Sequence, residues 1–295
     1  MSVKTFAAID VGSFELTMKI FDFSGKNTMR EIDCIHQRID LGSDTYANGK
    51  ISNEKMDDLC HTLKEFSQIM ESYKVIAYKA YGTSAIRETE NTLILQDQIE
   101  QRTGIRVEIL SNSEQRFLDY KSIASKGETF RRIIEEKTAI LDIGGGSIQI
   151  SLFDKDTLVS TQNLRLGVLR LQELLNHLNA GSTQMEQLVD ELATAQLDDY
   201  KKLYLKDREI KNIIIVDDYL SPWAVRKAHE RGDGNAMVDS KAFYQLMEAL
   251  RTRGTTELAK RMDIAEEKVP LVYISAVLTK RIAELMGAAL IWAPG

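Results

Sequence analysis

Two stretches of the chain repeat the same alternation of apolar and polar positions 132 residues apart. Ala7-Ala8-Ile9-Asp10-Val11-Gly12 corresponds to Ala139-Ile140-Leu141-Asp142-Ile143-Gly144, and the same offset carries Phe21-Asp22 onto Phe153-Asp154. Between these ends Leu16, Met18 and Ile20 alternate in one copy and Ile148, Ile150 and Leu152 in the other. A period of two is that of a strand with one buried face. Each copy therefore reads as strand, tight glycine turn, strand, with an aspartate at the end of the entering strand. Two unrelated hairpins are the bland alternative. A shared flanking alternation and a shared closing Phe-Asp favour a duplicated domain whose two turns face each other across a cleft.

The remaining pattern is α/β. Met56, Leu59, Leu63, Phe66, Met70 and Tyr73 form a helical stripe over 52–73. A strand is expected over 75–81, a helix over 91–103 ended by Gly104, and a strand over 105–110. Ser113 is placed to cap a helix beginning at Glu114. Helices are expected over 166–178, 183–205 and 275–290, and a buried strand over 212–216. The charged stretch 125–137 precedes the second copy, which puts the domains at 1–125 and 126–295.

Composition narrows the class of protein. With 295 residues, 43% hydrophobic and 28% charged, the chain has the balance of a globular protein large enough for two cores. A formal charge of -6 argues against nucleic acid as a partner. The two cysteines, Cys34 and Cys60, form neither a metal spacing nor a disulfide framework, so a reducing cytoplasm is expected. No run approaches the ~18 apolar residues needed to span a bilayer, so no membrane partner is expected.

Candidate chemistry concentrates in the two turns. Gly144-Gly145-Gly146-Ser147 combines three glycines, which permit positive φ and remove obstructing side chains, with a hydroxyl donor. Successive N–H groups of such a turn can converge on an anion. Asp142 precedes it and is placed to hold a cation or a water beside a phosphate. Gly12-Ser13 behind Asp10 is the thinner copy. Plain hairpin turns capped by Asp10 and Asp142 remain open.

Five segments in order carry a more specific signal: 7–13, Gly82-Thr83-Ser84-Ala85-Ile86-Arg87-Glu88, Ile109-Leu110-Ser111-Asn112-Ser113-Glu114, 142–147 and Leu166-Gly167-Val168-Leu169-Arg170-Leu171. Together they resemble the exopolyphosphatase and guanosine pentaphosphate phosphatase (Ppx/GppA) family in its short two-domain form. The resemblance implies two actin-like, ribonuclease H-like domains of the ASKHA superfamily, with the ligand cleft between them. It implies release of terminal phosphate from inorganic polyphosphate or guanosine pentaphosphate with Mg2+ or another divalent cation. In that scheme Glu114 orients or deprotonates water and Asp142 assists catalysis. Gly12, Ser13, Arg87, Gly144, Gly145, Gly146 and Ser147 bind phosphate, and Asp10, Asp142 and Gln149 serve the metal. A homodimer fits the resemblance, although no interface stripe is readable. Read without the resemblance, Glu114 is equally a favourable acid in a first helical turn, and Arg87 a surface ion pair.

The chain departs from that family's pattern at the same places. Gly12-Ser13 continues Phe14-Glu15 where a small amide is usual, and Glu15 would repel a phosphate unless it points away or meets the cation. Gln115 replaces a second glutamate and Gln149 an acid that closes the second loop. Asp217-Asp218 stands where a further glycine turn is expected. A catalytically impaired member that binds polyphosphate or guanosine tetra- or pentaphosphate as a sensor is the alternative function. An ATP-dependent small-molecule kinase is a third, disfavoured by the missing glycine turn.

Overall fold

The computed structural model describes residues 4–25, 28–125, 127–178, 184–230, 237–238, 240–288 and 290–293. Contacts divide the chain into two compact units, Met1–Gln115 and Arg116–Gly295.

The first unit is built on five strands: β1 (Thr5–Val11), β2 (Glu15–Gly25), β3 (Thr28–Arg38), β4 (Val75–Gly82) and β5 (Glu108–Ile109). Their order is β3-β2-β1-β4-β5. β1–β2 and β2–β3 pair antiparallel, and β4 and β5 add in parallel. Helices α1 (Leu41–Asn48), α2 (Asn53–Ser72), α3 (Ser84–Glu88) and α4 (Thr92–Thr103) complete it. The alternating positions Ala7, Ile9 and Val11 of β1 and Leu16, Met18 and Ile20 of β2 are buried with Leu59, Leu63 and Phe66 of α2 and Leu95 and Ile99 of α4. Leu59, Leu63, Phe66 and Met70 of the expected stripe lie on the face that α2 buries, with Met56 packed at its edge, while Tyr73 falls just beyond the helix and is exposed. Ser52 caps this helix by accepting from the Lys55 N–H, and Gly104 ends α4 with φ +71°.

β5 is shorter than the strand expected over 105–110. Side chains take its first backbone groups: the Ile105 N–H donates to Thr103 Oγ1, the Arg106 N–H to Tyr78 Oη, and Val107 O accepts from Gln96 Nε2. Little is left for a ladder, and only Glu108 and Ile109 pair with β4.

α5 (Asn112–Ala124) crosses the division between the units. The second unit continues with α6 (Glu128–Ile134), β6 (Thr138–Ile143), β7 (Ile148–Asp154), β8 (Thr157–Leu164), α7 (Val168–His177), α8 (Met185–Tyr200), β9 (Asn212–Asp217), α9 (Ser221–Glu230), β10 (Met237–Val238), α10 (Ser240–Thr252), α11 (Thr255–Met262), α12 (Lys268–Met286) and β11 (Leu290–Trp292). The strand order is β10-β11-β9-β6-β7-β8. Read from β8 to β11 this repeats the topology of the first sheet, with β7 antiparallel to both neighbours and β9 and β11 parallel to β6. The repeat also keeps its register. Asp10 lies opposite Thr17 and Val11 opposite Leu16, as Asp142 lies opposite Gln149 and Ile143 opposite Ile148. This is a two-domain, actin-like α/β architecture.

Three sequence readings are corrected. The division falls at 115/116 and not at 125/126, because Ile123 of α5 and Phe130, Ile133 and Ile134 of α6 pack with Ile140, Ile214 and Trp292. The charged stretch thus carries an apolar face packed on the second unit's sheet. The helix expected over 183–205 has its first residue outside the described ones. It runs from Met185 to Tyr200 and then widens to a π turn over Lys201–Leu205. The helix expected to reach residue 290 ends at Met286, where Gly287 takes φ +67°; residue 289 lies outside the described ones. Leu290–Trp292 then form a parallel strand on β9, an apolar run whose period is too short to separate from a helix end. No helix among the described residues is long and apolar enough to cross a membrane.

Glu186 at the start of α8 binds Arg251 of α10 through both carboxylate oxygens at 2.6 and 2.7 Å, with Lys280 of α12 at 3.0 Å. The Arg251 bonds, joined by Lys280, hold its pKa at about 2. The folded value lies below the ordinary ~4.3, so its contribution is present above that pH and lost as pH falls toward 2. Melting temperature is therefore expected to drop across this window, and Glu186→Gln to flatten the drop in a pH series of thermal melts. Phe66→Ala in the first core is expected to cost about 3–5 kcal/mol in denaturant titration.

Candidate phosphate-binding site

Each site segment takes its geometry from the end of a central strand. In the first unit the chain leaves β1 through Gly12, whose N–H donates to Glu15 O at 3.2 Å. A Cβ at Gly12 would stand 2.7 Å from that same oxygen, so the turn closes only on glycine. Ser13 O accepts from the Gly42 N–H and Phe14 O from the Asp40 N–H, which fasten the turn to the start of α1. Ser13 Oγ, Tyr46 Oη of α1 and Ser84 Oγ of α3 form a ring of three hydroxyls 2.9–3.0 Å apart. The phosphate-loop serine is thereby joined to the Thr83-Ser84-Ala85 segment.

The two departures in this loop have defined places. Phe14 is only 7% exposed and lies beneath the Arg38 guanidinium, 5.1 Å from its ring centre, a cation–π contact. Glu15 turns to β3, with Oε1 3.5 Å from His36 Nδ1. Asp10 is the penultimate residue of β1 and is exposed.

Arg87 sits in α3. Its Nη1 donates to Leu110 O at 2.7 Å and to Gln115 Oε1 at 3.4 Å, tying α3 to the corner between β5 and α5. Glu114 occupies the third position of α5. Its Oε2 accepts from the Ser111 N–H at 2.9 Å and from Ser111 Oγ at 2.7 Å, while the Glu114 N–H donates back to Ser111 Oγ at 3.2 Å. This is a reciprocal capping box. The cap is therefore Ser111 and not Ser113, and the helix starts at Asn112. The Ser111 bonds hold the exposed Glu114 carboxyl below its ordinary pKa.

In the second unit the turn 144–147 is clasped by the first turn of α7. Gly144 O accepts from the Val168 N–H and Gly145 O from the Leu169 and Arg170 N–H groups, at 3.0–3.1 Å. Arg170 Nε donates to Gly146 O at 2.9 Å. All three glycine carbonyls are thus directed at α7. The N–H groups of Gly145, Gly146 and Ser147 donate to no backbone carbonyl among the described residues. Positive φ is not what these three glycines supply, for the positive-φ glycines among the described residues are Gly49, Gly104, Gly127 and Gly287. A Cβ on Gly167 would lie 2.1 Å from the carbonyl carbon of Gly146 and 2.3 Å from Ser147 N. Gly167 must be glycine for α7 to reach the loop.

Behind this loop lies a group of acids. Gln149, 4% exposed, reaches across the strand pair, its Nε2 3.3 Å from Asp142 Oδ2. Asp119 of α5 hydrogen-bonds Asp142, and Asp217 and Asp218 add negative charge. Burial first, then the neighbouring Asp119, pushes the Asp142 carboxyl well above the usual range. Burial raises Asp119 to about 6. Asp217, where a glycine turn was expected, closes the turn before α9 by accepting from the Leu220 and Ser221 N–H groups at 2.6–3.0 Å and from Ser275 Oγ at 2.7 Å.

Asp10, Gly12, Ser13, Arg87 and Glu114 belong to the first unit, and Asp142, Gly144, Gly145, Gly146, Ser147 and Gln149 to the second. The fold adds Tyr46, Ser84, Asp119, Gly167 and Arg170 to them. Ser84, Gly167 and Arg170 lie within the segments that carry the resemblance. Tyr46 and Asp119 have no signal in the sequence.

Residues 21–286 match the model of the Ppx/GppA phosphatase family. The bifunctional 3-dehydroquinate synthase/phosphatase of Fusobacterium nucleatum is 23% identical over 210 residues, 67% of this chain and 31% of that protein. Exopolyphosphatase 1 of Mycobacterium tuberculosis is 27% identical over 144 residues, 48% of this chain and 40% of that protein. The matched stretches thus span less than half the length of either relative. A Ppx/GppA family member from Aquifex aeolicus superposes with a TM-score of 0.74 at 15% identity, over 99% of this chain and 93% of its own. An exopolyphosphatase from Cytophaga hutchinsonii gives 0.74 at 19%, over 99% and 95%.

Gly167→Ala is expected to exceed the usual ~1–3 kcal/mol of overpacking, because its Cβ would meet three backbone atoms of the turn at 2.1–2.3 Å. Denaturant titration checks this; a loss under 1 kcal/mol would contradict the clasp.

Proposed function

The chain belongs to the Ppx/GppA phosphatase family, and we propose that it hydrolyses phosphoanhydrides, releasing terminal phosphate from inorganic polyphosphate or guanosine pentaphosphate. The observation that carries this reading is the clasped glycine turn. With its carbonyls bound to α7, the N–H groups of Gly145, Gly146 and Ser147 and the Ser147 hydroxyl remain as donors. Convergent donors of this kind suit a phosphate. Gly12 and Ser13 supply a second, smaller turn of the same origin.

Phosphoryl transfer passes through a metaphosphate-like species flanked by water and leaving phosphate, and its catalysis is mainly positioning and charge neutralisation. The loop N–H groups and Ser147 hold the phosphoryl oxygens. Glu114 accepts a hydrogen bond from the attacking water. With its pKa lowered by Ser111, it serves better to orient that water than to hold its proton. Arg87, bound to Leu110 O and Gln115, fixes the corner that carries Glu114.

Asp142 and Gln149 fit a hard divalent cation such as Mg2+, with Asp10 as the corresponding acid of the first unit. Their donors are oxygens, and Gln149 Oε1 is buried with no hydrogen-bond partner among the described residues. No three His, Cys, Asp or Glu among the described residues are placed to enclose a metal. Such an ion would neutralise charge on the phosphate oxygens.

One observation favours a second reading, binding without turnover. The capping box already occupies Glu114, and Gln115 and Gln149 carry no charge. Phosphate release from long-chain polyphosphate with Mg2+ separates the two. The hydrolase reading predicts release that falls roughly 10²- to 10⁴-fold in Glu114→Gln. Tight binding of tripolyphosphate by calorimetry with no release would establish the second reading, and neither binding nor release would overturn both.

A further inference from the structure

The acids behind the second loop leave an imbalance of acceptors. Asp119 Oδ2 is buried and has no hydrogen-bond partner among the described residues, and the same holds for Gln149 Oε1. Both side chains contact Asp142, Asp119 through a hydrogen bond and Gln149 through its amide nitrogen at 3.3 Å. Gln149 is placed there by the ladder, since it is the residue directly opposite Asp142 on β7. Asp119 is placed by α5, whose inner face packs Ile123 on the sheet of the second unit. A buried oxygen without a donor costs about 1–3 kcal/mol, and more when charged. Together with Asp142 they form a set of buried oxygens that a cation would satisfy.

Asp217 is not part of that set, because Leu220, Ser221 and Ser275 already satisfy its oxygens. The exposed Asp218 deepens the negative potential. The oxygens left to act are those of Asp119, Asp142 and Gln149. All are hard donors, with no sulfur or imidazole among them, which selects Mg2+ or Mn2+ over zinc.

We propose that Asp119 is a direct ligand of a divalent cation shared with Asp142 and the Gln149 amide oxygen, supplying the second carboxylate of that site. The inference rests on the reading of Asp142 and Gln149 as cation ligands and extends it to a residue outside every motif of the chain. A half-turn of the Gln149 amide exchanges its nitrogen for its oxygen, so one side chain closes the site without the ion and ligates it with the ion. The assignment accounts for an acid with a buried oxygen on α5.

Mn2+ uptake, followed by electron paramagnetic resonance in the whole protein, tests this without turnover. Asp119→Asn is expected to weaken Mn2+ binding at least tenfold and Asp119→Glu to restore part of it. Asp142→Asn should weaken it as much, and Gln149→Glu should strengthen it. Thermal melts without metal control for folding: Asp119→Asn should melt no lower than wild type, yet lose the Mn2+-dependent rise in melting temperature. Unchanged Mn2+ affinity in Asp119→Asn would overturn the assignment, as would a wild type that takes up no Mn2+ at millimolar concentration with or without tripolyphosphate. Either failure leaves the hydrolase reading to be judged by phosphate release alone.

Discussion

The clasp between the first turn of α7 and the glycine turn 144–147 is the contact on which the second unit's chemistry depends. A hairpin turn ordinarily offers carbonyls and N–H groups alike, and a phosphate would meet both attraction and repulsion. Here Val168, Leu169 and Arg170 bind the carbonyls of Gly144, Gly145 and Gly146. The turn is left with donors of one sign. The clasp needs close backbone approach, which is why glycine stands at 167, where a Cβ would lie 2.1–2.3 Å from the backbone of the turn. The same contact answers a helical need, because the N–H groups at the start of α7 find acceptors that a helix start otherwise lacks.

The first unit reaches a related end by different means. Its turn is fastened to α1 through Ser13 O and Phe14 O, and its serine joins a ring of hydroxyls with Tyr46 and Ser84. Phe14 replaces a polar side chain without cost to packing, since it is buried beneath Arg38. Glu15 adds no negative charge to the turn's interior because strand parity directs it to His36 on β3. Substitutions that look damaging in the sequence are therefore absorbed by the scaffold. The second unit behaves otherwise: Gln149 leaves a buried oxygen without a partner, and acids gather around it.

Much of this was legible from residue order. The repeated alternation around Asp10 and Asp142 located both hairpins, and its offset survives as cross-strand register. The α2 stripe, the Gly104 stop and β9 follow from local periodicity. Other features depend on contacts far apart in sequence. β11 was hidden because Leu290-Ile291-Trp292 continues the apolar run of α12, and only pairing with β9 makes it a strand. The capping box at Ser111 was misplaced because three polar residues in a row offered several caps. Tyr46 and Asp119 belong to no motif; topology alone brings them to Ser13 and Asp142. Positive φ, inferred from the glycine count at 144–146, proved to be the wrong reason for glycine there.

The central claim is that the amides freed by the clasp are what bind phosphate. Backbone ¹⁵N–¹H chemical shifts followed during a tripolyphosphate titration test it most directly. The account predicts that the amides of Gly145, Gly146 and Ser147 move most and saturate together. Saturable binding that leaves these three unmoved while other amides shift would contradict it.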